Sequence, residues 1–206
     1  MRGRFITFEG IEGSGKSTQV ARLAQWLSDK VCEPVVTREP GGTPLGRRLR
    51  EVLLAGSASE PLTEAMLMAA DRAEHVATVI RPALDEGRHV LCDRHADSTL
   101  AYQGGGSGVA RDLLDALNRV AVRGLVPDLT LLFDLTPEVA LERMRARTGG
   151  AADRFEAESL AFHQRVRAAY LELARAEPAR FRVIDAARSP DEVFAAGRAR
   201  IEALIP

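Results

Sequence analysis

The residues with the most evident chemistry are "FEGIEGSGKST", positions 8 to 18. Within them, Gly10-Ile11-Glu12-Gly13-Ser14-Gly15-Lys16-Ser17 meets G-x-x-x-x-G-K-[ST] at every fixed position. Glycines let backbone N–H groups converge on phosphate oxygens with no Cβ in the way, and a helix opening after the loop adds the positive end of its dipole. Lys16 is placed to reach β- and γ-phosphates, and the Ser17 hydroxyl to hold Mg²⁺. Glu12 is the anomaly, an acid inside a loop meant for anions. A second group is the arginines Arg38, Arg50, Arg72 and Arg94, whose planar forks suit phosphate. Arg94 directly follows an acid, Asp93, at the end of an apolar run, whereas Arg72 sits beside Met68, Ala69 and Ala70. Arg47, Arg48 and Arg111 read as solvated helix surface. The chain has no N-K-x-D guanine reader. The acids that close two apolar runs are followed by Arg94 and Leu135 rather than by a water-activating carboxylate. That pattern favours transfer of a phosphoryl group to a bound anion over hydrolysis.

These groups need a scaffold. Short apolar runs at 4–9, 34–37, 89–93, 129–134 and 181–185 read as strands, and the near-continuous apolar character of "HVLCD" and "LTLLFD" suits buried parallel strands. Helical spacing starts near Lys16 with Val20, Leu23, Ala24 and Leu27, and a longer pattern runs from about Thr63 to Glu86. Thr136-Pro137-Glu138 and Ser189-Pro190-Asp191-Glu192 are helix starts: a hydroxyl cap, proline next, acids in the first turn. Ser189 and Glu192 also fit a capping box. Strand and helix alternate throughout, so the fold class is α/β: a five-stranded parallel sheet flanked by helices. Residues 1–206 read as a single domain, because no linker divides them. The one interruption is "RARTGGAADRFE", about 145–156, basic and glycine-broken between two helices, which reads as a short lid.

Composition narrows the classes. Of 206 residues, 28 are Lys or Arg and 29 are Asp or Glu, a net charge of -1, which argues against a general nucleic-acid binder. Cys32 and Cys92 lie far apart with no metal-ligand spacing, which suits a reducing cytoplasm. No run has the length of a membrane span.

"FEGIEGSGKST", "TREPGGTPLG", "DRHADSTLAYQGGG" and "PDLTLLFDLTPEVALER", in this order and spacing, resemble the bacterial type of thymidylate kinase from about Phe5 to Asp185. The resemblance implies the P-loop nucleoside-monophosphate-kinase fold, transfer of the γ-phosphoryl of ATP to dTMP with Mg²⁺, and a cytoplasmic homodimer. It implies that residues 10–18, namely Gly10, Ile11, Glu12, Gly13, Ser14, Gly15, Lys16, Ser17 and Thr18, bind ATP together with Arg143. Ser17 and Asp93 would face the metal. Arg50 and Arg94 would grip the dTMP phosphate, and Arg72, Thr99 and Gln103 would read the thymine. Tyr102 would pack under the deoxyribose, where a ribose 2′-OH would collide. Glu39 would face the acceptor or the metal, and Glu12 would accept a hydrogen bond from the sugar 3′-OH. The chain departs from the family at Met68, where a phenylalanine commonly stacks on the base. Gly13 has no side chain where one branch of the family carries an arginine, so the lid would supply the cations. The catalytic candidates are therefore Lys16, Arg94, Arg147 and Arg154. Kinases of dUMP or UMP, and a P-loop NTPase switch, are the competing readings.

Overall fold

The computed structural model describes residues 2–55, 60–148 and 158–205. The order opens with β1 (Phe5–Glu9), α1 (Lys16–Lys30), β2 (Val35–Arg38) and α2 (Pro44–Leu54). Next comes α3 (Pro61–His75), which runs through a π-helical segment, Val76–Ile80, into α4 (Arg81–Asp85). β3 (Val90–Asp93) leads to α5 (Ala96–Thr99), extended by a second π-helical segment, Leu100–Gly106, and then to α6 (Arg111–Val122). β4 (Leu129–Asp134), α7 (Pro137–Thr148), α8 (Leu160–Ala176), β5 (Phe181–Asp185) and α9 (Pro190–Glu202) complete it.

The sheet has five strands in the order β2-β3-β1-β4-β5, and every pairing is parallel. Parallel neighbours need crossovers long enough to hold a helix, which is why helices separate all the strands. Inner strands β1 and β3 are buried along their whole length, whereas the edge strand β2 alternates half-buried and exposed residues. After β1 the chain goes out to the edge for β2, returns to place β3 between β2 and β1, then crosses to the other side of β1 for β4. The crevice at the carboxyl end of β1 is therefore the topological switch point, where open α/β sheets take their ligands.

One apolar cluster joins Ile6, Phe8, Leu91, Leu131 and Phe133 to Leu23 and Leu27 of α1 and Tyr170 of α8. Another packs Phe5, Val90 and Cys92 against Val76, Ile80 and Leu84. Local signals hold at the helix starts. Thr43 accepts from Gly46 N ahead of Pro44, and Ser189 and Glu192 form the reciprocal capping box.

The helix expected from Thr63 begins two residues earlier, because Glu60 accepts a hydrogen bond from Thr63 N and Pro61 presets the first turn. Its π-helical insertion at Val76–Ile80 was not expected. A single widened turn leaves the 3.6-residue spacing of apolar side chains nearly intact, so periodicity does not register it.

Candidate functional site

The loop after β1 is the floor of the site. Gly15, with φ 86°, is the N-cap of α1. The Lys16 side chain folds back under the loop, and its Nζ donates to Gly10 O at 2.6 Å, Ile11 O at 2.9 Å and Ser14 Oγ at 3.4 Å. Lys16 is only 6% exposed. Burial, with the nearby Arg94 charge, pulls its ammonium down to about 8, although Asp93, Glu12 and Glu9 oppose the shift. Gly13 has φ 75°, and a Cβ there would run into the backbone carbonyl of Ala140 in α7. The missing side chain at Gly13 thus has a steric cause as well as the consequence for local charge drawn from the sequence.

Strand register brings the next groups together. Asp93 pairs in register with Phe8 of β1 and with Arg38 of β2. Ser17 Oγ donates to Asp93 Oδ2 at 2.9 Å, while Asp93 Oδ1 is buried without a hydrogen-bond partner. A hydroxyl and a carboxylate with a spare buried oxygen are the donor set a hard divalent cation uses, so these residues fit Mg²⁺.

Arg94 leaves β3 with φ 72°, a backbone region that costs a non-glycine residue of order 1 kcal/mol or more and that clusters at functional sites. The turn aims its guanidinium back over the loop. Nη2 donates to Glu12 Oε1 at 2.7 Å and to Tyr102 OH at 3.0 Å. Nη1 donates to Ser98 Oγ and Tyr170 OH, each at 3.2 Å. Tyr102 OH in turn donates to Glu12 Oε2 at 2.6 Å. Burial works against the Glu12 charge, but Arg94, Lys16 and the Tyr102 hydroxyl outweigh it and lower its pKa. The acid in the anion loop is therefore the counter-ion of an arginine 82 positions away.

A cleft of about 610 Å³ opens beside this group. All nine residues assigned to the acceptor from sequence line it: Glu12, Glu39, Arg50, Met68, Arg72, Arg94, Thr99, Tyr102 and Gln103. A second cleft, about 1060 Å³, is lined by Gly13, Gly15, Lys16, Ser17, Thr18, Arg38, Asp93, Arg143 and Met144. Glu12, Glu39, Arg50 and Arg94 belong to both walls. Arg143 Nη1 donates to Ala186 O, just past β5, at 3.0 Å. Gly10, Ile11 and Ser14 stand behind the second wall, where the two carbonyls and the Ser14 hydroxyl hold Lys16. Arg147 sits in α7, but its side chain and the whole of Arg154 lie outside the described residues. So does most of the expected lid.

Arg72, which the sequence sets beside Met68, Ala69 and Ala70, is fully enclosed. It is 1% exposed and heads the largest fully buried side chains. Nε donates to Glu39 Oε2 at 2.9 Å and Nη1 to Asn118 Oδ1 at 2.8 Å. Nη2 donates to His95 O and Thr99 Oγ1, each at 3.1 Å. Glu39 Oε1 accepts from His75 Nδ1 and His95 Nδ1, both at 2.9 Å. Burial opposes the Glu39 charge, but His95 and Arg72 and the two imidazole hydrogen bonds hold its carboxyl well below the usual range. Glu39 thus supports Arg72 with both its oxygens engaged, rather than presenting a free carboxylate. Ligand atoms of Glu39, His75 and Cys92 lie within 4.8 Å of one another. Burial pushes the Cys92 thiol well up, and its Sγ donates to Arg94 O, so these groups partner their neighbours in a closed polar core.

Sequence reasoning missed His75, His95, Asn118, Glu9, Ser98 and Tyr170. His75 follows Arg72 by one turn and His95 follows Arg94 directly, which are local signals. Asn118 and Tyr170 arrive from α6 and α8 with none. Gly105 and Gly106 of the second π-helical segment lie against Ala169 and Phe162, and this close approach lets α8 carry Tyr170 into the site.

The model of the family described as thymidylate kinase matches residues 8–196. The chain is 58% identical over 198 residues to the thymidylate kinase of Oleidesulfovibrio alaskensis, covering 92% of this chain and 93% of that one. It is 57% identical to that of Nitratidesulfovibrio vulgaris, with 92% of each covered. Identity to that of Ralstonia nicotianae is 56%, covering 94% of this chain and 95% of the other.

Proposed function

The chain belongs to the thymidylate kinase family, and from that premise we propose that it transfers the γ-phosphoryl of ATP to the 5′-phosphate of dTMP, giving dTDP and ADP. The observation that carries the assignment of roles is the shared wall: Glu12, Glu39, Arg50 and Arg94 border both clefts. A donor phosphate in the larger cleft and an acceptor phosphate in the smaller one would meet there.

Phosphoryl transfer asks a protein mainly for positioning and charge. Loop N–H groups and the α1 N-terminus hold the β- and γ-phosphates of ATP. Lys16 leaves the Gly10 and Ile11 carbonyls for them, and a polyanion in the loop raises its proton affinity, so it acts charged. Ser17 and Asp93 would hold Mg²⁺, which when bound offsets charge on the β- and γ-phosphate oxygens. Arg50 and Arg94 bind the acceptor phosphate and align its oxygen with the γ-phosphorus. Glu12 keeps Arg94 in place and accepts from the sugar 3′-OH. Tyr102 sits under the deoxyribose, against the position of a 2′-OH, while Arg72, Thr99 and Gln103 present donors to the thymine. Arg143 flanks the donor base, next to the turn after β5. Arg147 and Arg154 are assigned as closing cations from the sequence, because Gly13 brings no charge. Residues 1–206 act as a single kinase domain.

We further propose a homodimer. Leu45, Val52, Met66, Leu113 and Val120 stay exposed on α2, α3 and α6, and α3 packs against the other two helices, so together they offer one apolar face for a second copy. Sedimentation equilibrium of the wild type and of Val120→Glu tests this, since a monomeric wild type excludes it. Two free cysteines, Cys32 and Cys92, support a cytoplasmic location. No helix among the described residues is long and apolar enough to cross a membrane.

A coupled assay of ATP consumption with dTMP, dUMP, UMP and thymidine tests the substrate. Turnover fastest with dTMP is expected. Preference for UMP, or ATP hydrolysis indifferent to all four, overturns the reading.

A further inference from the structure

Behind Arg94, on the side away from Glu12, three oxygens form a triangle. Ser98 Oγ lies 2.6 Å from Glu9 Oε2, Tyr170 OH lies 2.8 Å from the same carboxylate oxygen, and the two hydroxyls are 2.8 Å apart. Arg94 Nη1 donates to both hydroxyls. The other Glu9 oxygen accepts from His95 N at 2.8 Å. Glu9 is fully buried and Tyr170 is 1% exposed. Nothing in the reaction as derived above uses any of the three side chains.

We propose that Glu9, Ser98 and Tyr170 are positioning residues that share a proton and set how strongly Arg94 grips the acceptor phosphate. With Glu9 ionised, two hydroxyl protons serve three short oxygen contacts, so one edge of the triangle has no hydrogen. A third proton, on the carboxyl, completes the ring, with each oxygen donating once and accepting once. The complete ring leaves Glu12 as the one ionised carboxylate hydrogen-bonded to Arg94, with Asp93 acting on it through its charge. Loss of the proton puts a second carboxylate behind the guanidinium, which then competes with the phosphate for it.

The surroundings agree. Burial, followed by the negative charge of Asp97, pushes the Glu9 carboxyl up to about 7, against the pull of Ser98, Arg94 and Tyr170. Asp97 is engaged by Arg180, with contacts at 2.7 and 2.8 Å. The other titratable groups that feel Glu9 are Lys16 on α1 and Cys92 on β3. Cys92 is held as the thiol, and the Lys16 charge bears on the donor cleft. The three positioning groups come from β1, α5 and α8, so packing of α8 enters the grip on the acceptor directly.

The inference rests on Arg94 being the acceptor-phosphate group, and the experiment separates the two claims. The Michaelis constants for dTMP and ATP would be measured from about pH 7 to about pH 8, where the nucleotide phosphate is already dianionic, in the wild type and in Tyr170→Phe, Glu9→Gln and Arg94→Lys. Tyr170→Phe keeps the ring packing and removes one oxygen. It should raise KM for dTMP by about 10-fold or more, the scale of a lost hydrogen bond to a charged group, and leave KM for ATP within about 2-fold. KM for dTMP should climb with pH in the wild type. It should be flat in Glu9→Gln, and its rise should move to higher pH in Tyr170→Phe, because the carboxylate has lost a donor. Equal rises in both Michaelis constants, or no change in either, with Tyr170→Phe would refute the proposal. So would a wild-type pH profile in Glu9→Gln. Arg94→Lys should raise KM for dTMP whatever Glu9, Ser98 and Tyr170 do, and if it does not, the assignment of Arg94 itself is wrong.

Discussion

Replacing Arg72 by methionine isolates the buried charge network beneath the acceptor cleft. The side chain gives four hydrogen bonds, to Glu39, Asn118, His95 O and Thr99. It also pairs with a carboxylate in a contact where both side chains are 2% exposed. Methionine fills much of the volume but leaves Glu39 ionised, with only two imidazoles facing it. Breaking a buried pair from one side costs about 3–5 kcal/mol, most of it the stranded partner. At roughly 2–4 °C per kcal/mol for a domain of this size, the melting temperature should fall by about 6–20 °C. Adding Glu39→Gln removes the stranded charge, so the double variant should be more stable than Arg72→Met alone. The pH sign follows from Glu39. Its folded pKa is depressed, so its stabilisation is full above the ordinary value of 4.5 and is lost as pH falls through the lower folded value. In Arg72→Met the folded carboxyl titrates higher, so the deficit against wild type is largest at neutral pH and changes as Glu39 takes up its proton. Urea denaturation at neutral pH measures the loss. A deficit under about 1 kcal/mol, or a double variant no more stable than the single one, would show that the network does not hold Arg72 as argued.

Three other perturbations probe the two clefts. Gly13→Ala forces a side chain into a left-handed backbone against the Ala140 carbonyl. It should cost about 1–2 kcal/mol for the backbone alone and raise KM for ATP as α7 shifts, whereas an unchanged melting temperature contradicts the steric reading. Met68→Ala should raise KM for dTMP about 2- to 10-fold, the range of a thioether–ring contact, with KM for ATP unaffected, and parity with wild type would remove Met68 from the thymine site. Lys16 sits near 8 in the free protein and binding needs it charged. The dissociation constant for ATP should therefore rise about 10-fold between about pH 7 and pH 9, a rise that calorimetric titration would detect and that Lys16→Arg should abolish.

The residues assigned to the two substrates were legible as candidates because each is tied to a local pattern. The phosphate loop lies between a strand and a helix, Asp93 and Arg94 end an apolar run, and β4 and β5 have the bounds their composition indicates. The strand order was not legible, since parallel crossovers of similar length can pass either way along a sheet. Nor were the supports. The burial of Arg72 was not legible because its partners Glu39 and Asn118 stand 33 and 46 positions away, and Glu12 looked misplaced because Arg94 is 82 away. Tyr170, 161 positions from Glu9, reads as one more apolar residue on a helix face. In a parallel sheet the carboxyl ends of distant strands converge, so groups that a substrate meets can sit on short motifs while the groups that hold them must come from elsewhere in the chain. The motif-bearing residues therefore say which reaction is possible. If those residues act as proposed, the strength of the grip on each substrate is set by the long-range pairs, Glu12 with Arg94, Glu39 with Arg72, and Glu9 with Tyr170, and these are where relatives with the same motifs can differ in affinity and pH response.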